Sequence, residues 1–485
     1  MGLIQNFRDL FIKPEPEKPD LFKRNFFEFL KNQQLNSDWQ VIVDSTGDGN
    51  FKYDVPTLRA KARDLEINNA YASAFFETME KSVIGKSGFN LQLRIQNADS
   101  TPDTYANQLI ENKFFQWSKN CTVDGQTSWV ELQNIILRSM LRDGEIFIHM
   151  VTSSENPYGM MLQIIEADYV DYQKNDTLSN GNYIRHGIEY NRYHAPVAVY
   201  VSVFPPDANR EHLNAPTEYV RIPMDNMLHV YKKNRVSQGR GYSWMSAAIH
   251  RLRMLNSIDE ASLTNIRVAA SKMGFLSKQG ASVAEYTGAQ TDFNGNFVQS
   301  VEPGEIEVLP EGYSFEQFNP AFPDASVDAF IKHMLRSIAT ALGVSYGSLT
   351  MDLSDFSYSS GRIGVDLERD SYRKLQTLLM EKFFNPVFEK WLLVALANNS
   401  LAPLPFNKLE KFRSYEWIPK SFEYVNPIDD INADINAIQN NMTTLTDVLA
   451  KKGVDLEDHL QKLANEKKLM EKYGLMQISD QKNLN

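Results

Sequence analysis

The stretch from Ser243 to Gly361 constrains this chain more than any other. From Ser243 to Lys272, Trp244, Ala248, Leu252, Leu255, Ile258 and Ile266 recur at helical spacing as one apolar stripe. His250, Arg251, Arg253, Asp259, Glu260 and Arg267 occupy the other face. Ser243 suits the N-cap, where its hydroxyl accepts from an unpaired N–H of the first turn. Such a helix is roughly 45 Å long at 1.5 Å per residue, long for a globular protein. From Phe275 to Phe318 the period breaks. Asn294-Gly295, Pro303-Gly304 and Glu311-Gly312 are turn signals between short strand-like runs such as Ile306 to Leu309. The chain returns from Ala325 to Leu342 as a second helix, with Val327, Phe330, Ile331, Met334, Leu335, Ile338 and Leu342 on one face and Gly343 placed to end it. A rod out, a small β-rich tip and a rod back suit a part that projects from a body and packs beside copies of itself.

Composition narrows the classes. A chain of 485 residues has room for several domains. Its formal net charge of −11 argues against a protein that grips DNA tightly, since phosphate affinity needs clustered Lys and Arg, but not against one that lets DNA slide past. The single cysteine, Cys121, excludes an intramolecular disulfide and a Cys-based zinc site, and assembly in the cytosol is the simplest expectation. Met1 to Leu10 has no signal-peptide core, and the apolar run Trp391 to Ala397 is too short to span a bilayer, so no membrane association is expected.

Taken in order, residues 1–55 read as an N-terminal arm. Pro14, Pro16 and Pro19 are followed by Phe22, Phe26, Phe27, Phe29 and Leu30, too apolar for a free tail. Either the arm docks on the body or a neighbouring subunit, or it is an ordinary helix packed on its own domain. Pro56 to Gly85 is helical in pattern, with Pro56 in the first turn. Phe89 to Ile95 alternates as a strand, and helices follow over Thr101–Lys119 and Ser128–Arg142. Strands are expected at Glu145–Val151, Met161–Ala167, Tyr183–Tyr190, Val197–Phe204, Tyr219–Ile222 and Met227–Tyr231. Helices followed by a run of strands indicate an α+β fold. A polar and aromatic loop spans Val344 to Ser359. A long helix runs from Ser360 to Ala397 and is kinked at Pro386, which lacks an N–H. A strand over Tyr415–Ile418 returns to the body, two or three polar helices fill 427–474, and a disordered tail ends the chain.

Several motifs, in order, then resemble a known family. Arg142-Asp143-Gly144-Glu145 with Phe147 forms a turn before a strand. Gly187-Ile188-Glu189 leads to Pro196-Val197-Ala198. Arg235, Gln238, Arg240 and Gly241 precede Trp244. Ala341-Leu342-Gly343-Val344, Leu349-Thr350, Asp352 to Ser354 and Tyr358-Ser359-Ser360 with Arg362 mark the loop. Their order over residues 55 to 455 resembles the portal proteins of tailed bacteriophages, of the lambda-like type. The family often has Asn and Ala where Ser357 and Gly361 stand here, which puts in doubt any bond made through that Asn amide.

The resemblance implies a portal fold: an N-terminal arm (1–55), a wing (56–242), stem helix one (243–272), a β-rich clip (273–324), stem helix two (325–343), a tunnel loop (344–359), a kinked helix with a return to the wing (360–426), a helical crown (427–475) and a tail (476–485). It further implies a ring of about twelve subunits with a heterologous interface, placed at one vertex of the capsid. Double-stranded DNA would pass through it without sequence preference. Terminase large subunit, head–tail connector or adaptor, major capsid protein and scaffold would be its partners, with no cofactor and no catalysis. In the tunnel loop, Met351, Asp352, Ser354, Asp355, Phe356 and Tyr358 would line the channel, the two aspartates repelling phosphate. On the residues alone, a surface loop packed on its own helix is the favoured reading, and the resemblance reverses this. Lys332 and Arg336 would meet phosphates, although a solvated face or salt bridges between subunits is slightly preferred. Arg235, Gln238, Arg240 and Trp244 would sit at the start of the stem and at the subunit interface.

Enzymatic readings are weaker. Gly85-Lys86-Ser87 mimics the end of a P-loop, but Glu80 stands where the first glycine belongs. His149, His186, His194 and His229 lack metal spacing. The alternative function is a DNA-processing nuclease using a two-metal site of Asp143, Glu145, Glu166 and Asp168, although acidic residues at strand ends are more often turn formers or caps.

Overall fold

The computed structural model describes residues 51–474, apart from 154–155, 205–217, 272–273, 279–289, 292–296, 299–312, 318–324, 353, 355–357, 423–426, 452–453 and 455. The N-terminal arm, the three glycine turns of the 292–312 region, the run Ile306–Leu309, Asp355, Phe356 and the tail lie outside the described residues. The chain is α+β and divides into two compact units, one of residues 1–250 and 338–485, the other of residues 251–337.

In the first unit, the helix expected over 56–85 is two helices, α1 (Phe51–Asn68) and α2 (Ala70–Met79), followed by a π-turn over Glu80–Ile84. Asn69 makes the break. It is extended, and its side chain accepts from the Ala72 N–H to cap α2. Pro56 sits inside α1, one turn later than the pattern suggested. Strand β1 (Asn90–Leu93) leads to α3 (Thr104–Ser118), capped by Asp103, and α4 (Trp129–Arg142), capped by Ser128.

Two antiparallel sheets follow. β2 (Glu145–Thr152) lies between β3 (Met160–Ile165) and β9 (Met227–Tyr231). β4 (Asp176–Thr177), β5 (Tyr183–Arg185), β6 (Ile188–Tyr190), β7 (Pro196–Ser202) and β8 (Tyr219–Pro223) form a five-stranded meander. The strand expected over 183–190 is thus a hairpin. His186 and Gly187, both at positive φ, make the two-residue turn whose twist matches the flanking strands. Phe147, Ile165 and Met227 from the first sheet and Ile188, Val199, Val201 and Ile222 from the second share one buried cluster.

Later in the chain, α8 (Tyr358–Leu379) and α9 (Asn385–Ala397) are joined by a π-turn over Met380–Phe384. Pro386 accounts for it: the ladder cannot run straight past a residue with no N–H, and the Asn385 N–H reaches back five residues to Met380. α9 closes an aromatic core in which the Phe114 ring meets Trp117, Trp129, Phe388, Trp391 and Trp417 at centroid distances of 5.1 to 5.8 Å. Trp417 arrives on β14 (Tyr415–Ile418), which pairs antiparallel with β1 after the short helix α10 (Leu409–Phe412). Helices α11 (Pro427–Gln439), α12 (Leu445–Lys451) and α13 (Leu456–Lys472) complete the described chain.

The second unit is entered along α5 (Ile249–Ser271) and left along α6 (Ala325–Leu342). Between them lie the paired strands β10 (Gly274–Lys278) and β13 (Tyr313–Gln317), and β11 (Gln290–Thr291) with β12 (Phe297–Val298). α5 begins later than Ser243, because Ser243 caps a 3-10 turn over Trp244–Ala247 instead of the helix itself. α6 ends as the sequence indicates. Gly343 takes φ +75°, its N–H bonds Thr340 O, and the Val344 N–H bonds Ala339 O, the double closure of a Schellman motif.

Candidate functional site

Three of the sequence motifs meet at one buried point. Glu145, the first residue of β2, has no solvent exposure, nor has Arg240 on the segment after β9. The Arg240 guanidinium grips the carboxylate with Nη2 at 2.6 Å and Nε at 2.8 Å from Oε1. It also donates to the carbonyls of Ala167, Val170 and His186, the last in the turn before Gly187. The Gly241 N–H and His229 Nε2 each lie 2.8 Å from Oε2, and the Tyr172 hydroxyl donates to Oε1 at 3.1 Å. Arg59 from α1 adds a second guanidinium at 3.2 Å. The Arg240 guanidinium lies 3.9 Å from the centre of the Tyr172 ring, and His229 stacks between Phe147 and Tyr231 at 4.2 Å from each. Burial by itself would raise the Glu145 pKa. Arg240 and His229 override it and hold the carboxyl well below the usual range. Burial likewise pushes the Tyr172 hydroxyl up, so it stays a donor.

The backbone explains the glycines. Gly144 adopts φ +93°, and a Cβ there would lie 2.2 Å from the Tyr242 carbonyl carbon. A Cβ on Gly241 would lie 2.1 Å from the Gly144 oxygen. The two segments touch main chain to main chain, which only glycine permits on both sides. Gln238 locks the approach: its amide donates to Arg240 O at 2.8 Å and accepts from the Asn234 N–H at 2.7 Å.

This geometry corrects two expectations. Gln238 and Arg240, placed by sequence reasoning at a subunit interface, lie inside the single chain at 2% and 0% exposure. Arg235 is exposed, and Trp244 is half-buried with Lys232 Nζ 4.2 Å from its ring centre. The four acidic residues do not converge on an open metal position. Asp168 is held by Arg59 and Arg63, each at 2.6 Å, and Asp143 by Arg63 and Arg142, each at 2.8 Å. Glu166 points to solvent, 3.9 Å from Arg63. Carboxylates whose lone pairs are taken by arginines are structural ion pairs. Sequence reasoning missed Arg59 and Tyr172 and set His229 aside for want of metal spacing; the three are distant in the chain and share no motif.

The loop after α6 is anchored from behind. α7 (Tyr346–Thr350) is capped by Ser345. Glu368 on α8 accepts from the Ser345 N–H at 3.1 Å, the Ser348 hydroxyl at 2.8 Å and the Tyr372 hydroxyl at 2.7 Å. Met351 follows in the left-handed region, φ +58°, and is 66% exposed. Asp352 accepts from the Tyr346 hydroxyl at 3.1 Å and from the Ser354 N–H and hydroxyl, forming an Asx turn that leaves Ser354 exposed. Tyr358 opens α8. Lys332 pairs with Asp328 at 3.6 Å one turn away, and Arg336 is exposed.

Among the described residues no helix is long and apolar enough to cross a membrane. The sequence matches the family described as phage portal protein, lambda family, over residues 32–376. The chain belongs to that family. A relative named "Probable portal protein", from Halomonas phage phiHAP-1, is 29% identical over 469 residues, covering 96% of this chain and 90% of the relative. Portal protein B of Escherichia phage lambda is 20% identical over 445 residues, covering 82% and 81%. Among solved structures, a chain in the neck of an empty gene transfer agent particle superposes with a TM-score of 0.45 at 12% identity, covering 81% of this chain and 94% of that one. A chain in the native neck with C12 symmetry gives 0.44, also at 12% identity, covering 83% and 94%.

Proposed function

We propose that this portal-family chain assembles head-to-tail into a ring of about twelve subunits, closed through a heterologous interface. The ring occupies one capsid vertex of the virion and forms during assembly in the host cytoplasm. Double-stranded DNA passes through it during packaging and ejection. The β-bearing unit of residues 251–337 is the stem and clip, where terminase docks first and a head–tail connector later. Helices α11 to α13 are the crown, and the wing meets the major capsid protein and scaffold. Membership of the portal family carries this reading. Exposed apolar residues along the two rods, Leu263 at 54%, Ile266 at 46% and Phe330 at 51%, support it, because a lone chain leaves them in water where neighbours would cover them.

The mechanism is steric and electrostatic. The segment after Gly343 lines the channel and presents Met351 and carboxylates that repel phosphate, while the Glu368 anchor fixes its base. Native mass measurement with negative-stain imaging tests the architecture: a twelve-chain ring with an axial hole is expected. A monomer or dimer in every salt condition, together with no such ring in assembled particles, overturns it. The double substitution Asp352→Lys with Asp355→Lys is expected to leave ring assembly intact and stall packaging, with Asp352→Asn as the control that keeps the local turn. Normal yields of packaged genome from the double variant would sink the channel role of the loop.

A further inference from the structure

A concavity of about 640 Å³ opens in the first unit between the turn after the π-turn (Ile84, Lys86, Ser87, Gly88, Asn90), the end of β14 with residues 419–422, and Arg369 of α8. In a chain of net charge −11, its lining among the described residues holds three cations, Lys86, Arg369 and Lys420, and no carboxylate. Its remaining polar side chains, Ser87, Ser421 and Asn90, can all donate.

The positive charge is gathered by packing. Gly85 takes φ +73°, and a Cβ there would lie 2.7 Å from Cδ of Lys420, so the glycine lets the Lys86 turn close on the Lys420 stem. Gln376 holds both walls, donating to Val83 O at 3.0 Å and Lys420 O at 3.1 Å. Lys420 Nζ donates to Lys81 O at 2.7 Å. Arg369, Arg373 and Lys420 lie 5.5, 5.4 and 5.9 Å from the centre of the Phe422 ring. Among the described residues, Asp366 lies 3.5 Å from Arg369 and Asp370 lies 2.7 Å from Arg373; both are mostly exposed. Three cationic side chains together with hydroxyl and amide donors around one hollow suit an anion with several acceptor oxygens, such as a tetrahedral oxyanion. The Gly85-Lys86-Ser87 fragment thus belongs to a cavity rim, not to a P-loop.

We propose that this cavity binds a phosphate group, either from a nucleic-acid backbone or free. The test uses the full-length chain, lysine-acylation footprinting by mass spectrometry, and anisotropy of a short labelled DNA duplex across a salt series. Inorganic phosphate is expected to slow acylation of Lys86 and Lys420 several-fold relative to chloride at equal ionic strength, with Lys467 on α13 unchanged. If the phosphate is that of DNA, the K86Q/K420Q variant lowers the slope of log K against log salt by about 1.8, near 0.9 per lost contact. If it is free phosphate, footprint protection appears with an unchanged duplex slope. Equal acylation in phosphate and chloride, with equal slopes for both proteins, overturns the proposal. The footprint is read on the unaltered chain, so it stands whether or not the variant folds.

Discussion

Replacing Arg240 with Met tests the central construction of this fold. Methionine keeps most of the side-chain volume, so the change removes charge and donors with little loss of packing. Glu145 loses its closest partner while remaining buried, keeping Arg59, His229, Tyr172 and the Gly241 N–H, and the carbonyls of Ala167, Val170 and His186 lose a donor. Breaking a buried ion pair from one side costs about 3–5 kcal/mol, chiefly because the other charge stays behind desolvated. A loss of that size is expected in urea unfolding followed by tryptophan fluorescence, since Trp117, Trp129 and Trp391 are buried in the same unit. The E145Q/R240M double variant is expected to lose less than the two single losses summed, with a coupling of at least ~1 kcal/mol. A loss below ~1 kcal/mol for R240M, or strict additivity in the double variant, would refute the claim that this buried pair ties β2 to the segment after β9.

Three further outcomes follow from the same geometry. Gly144→Ala is expected to cost at least ~2 kcal/mol or to abolish soluble protein, because φ is +93° and the added methyl meets the Tyr242 backbone; a melting temperature equal to that of the unaltered chain would contradict the close approach. Acid is expected to destabilise the chain, because Glu145 and Asp168 are both held below their ordinary pKa values in the fold. Below about pH 5 the unfolded state takes up protons that the folded carboxylates refuse, so their contribution is complete above that pH and drains away as pH falls toward the folded values; urea midpoints that rise on acidification would count against it. Cys121 is buried and its thiol is pushed up to about 12, so iodoacetamide at pH 8 is expected to label it only after denaturation, and rapid labelling of the native chain would show the site to be open.

Much of the element order was legible in the sequence, because local signals control it. Helical periodicity and Gly343 placed α6 at Ala325–Leu342, and the short strand-like run at Tyr415–Ile418 is β14. Where signals competed, the reading slipped. The pattern ran through Asn69, which breaks the helix by capping from its own side chain, and through His186-Gly187, where two left-handed residues turn one strand into two. Pro386 was rightly a disturbance, but only the structure, through the Asn385 N–H to Met380 O bond, shows that the helix absorbs it by widening into a π-turn.

By itself the sequence determined the α+β class, the two long helices around a strand-bearing excursion and the lambda-type portal family, all readable from period, turn chemistry and motif order. Only the tertiary structure decided what the motifs are for. Asp143-Gly144-Glu145 and Arg240-Gly241 stand ninety-five residues apart at their charged ends and are pressed together main chain to main chain, sealing an ion pair with Arg59 and His229 that no spacing announces. The reason is physical: local propensity acts over a few residues, whereas the desolvation that makes a carboxylate need an arginine exists only once the chain has closed around both.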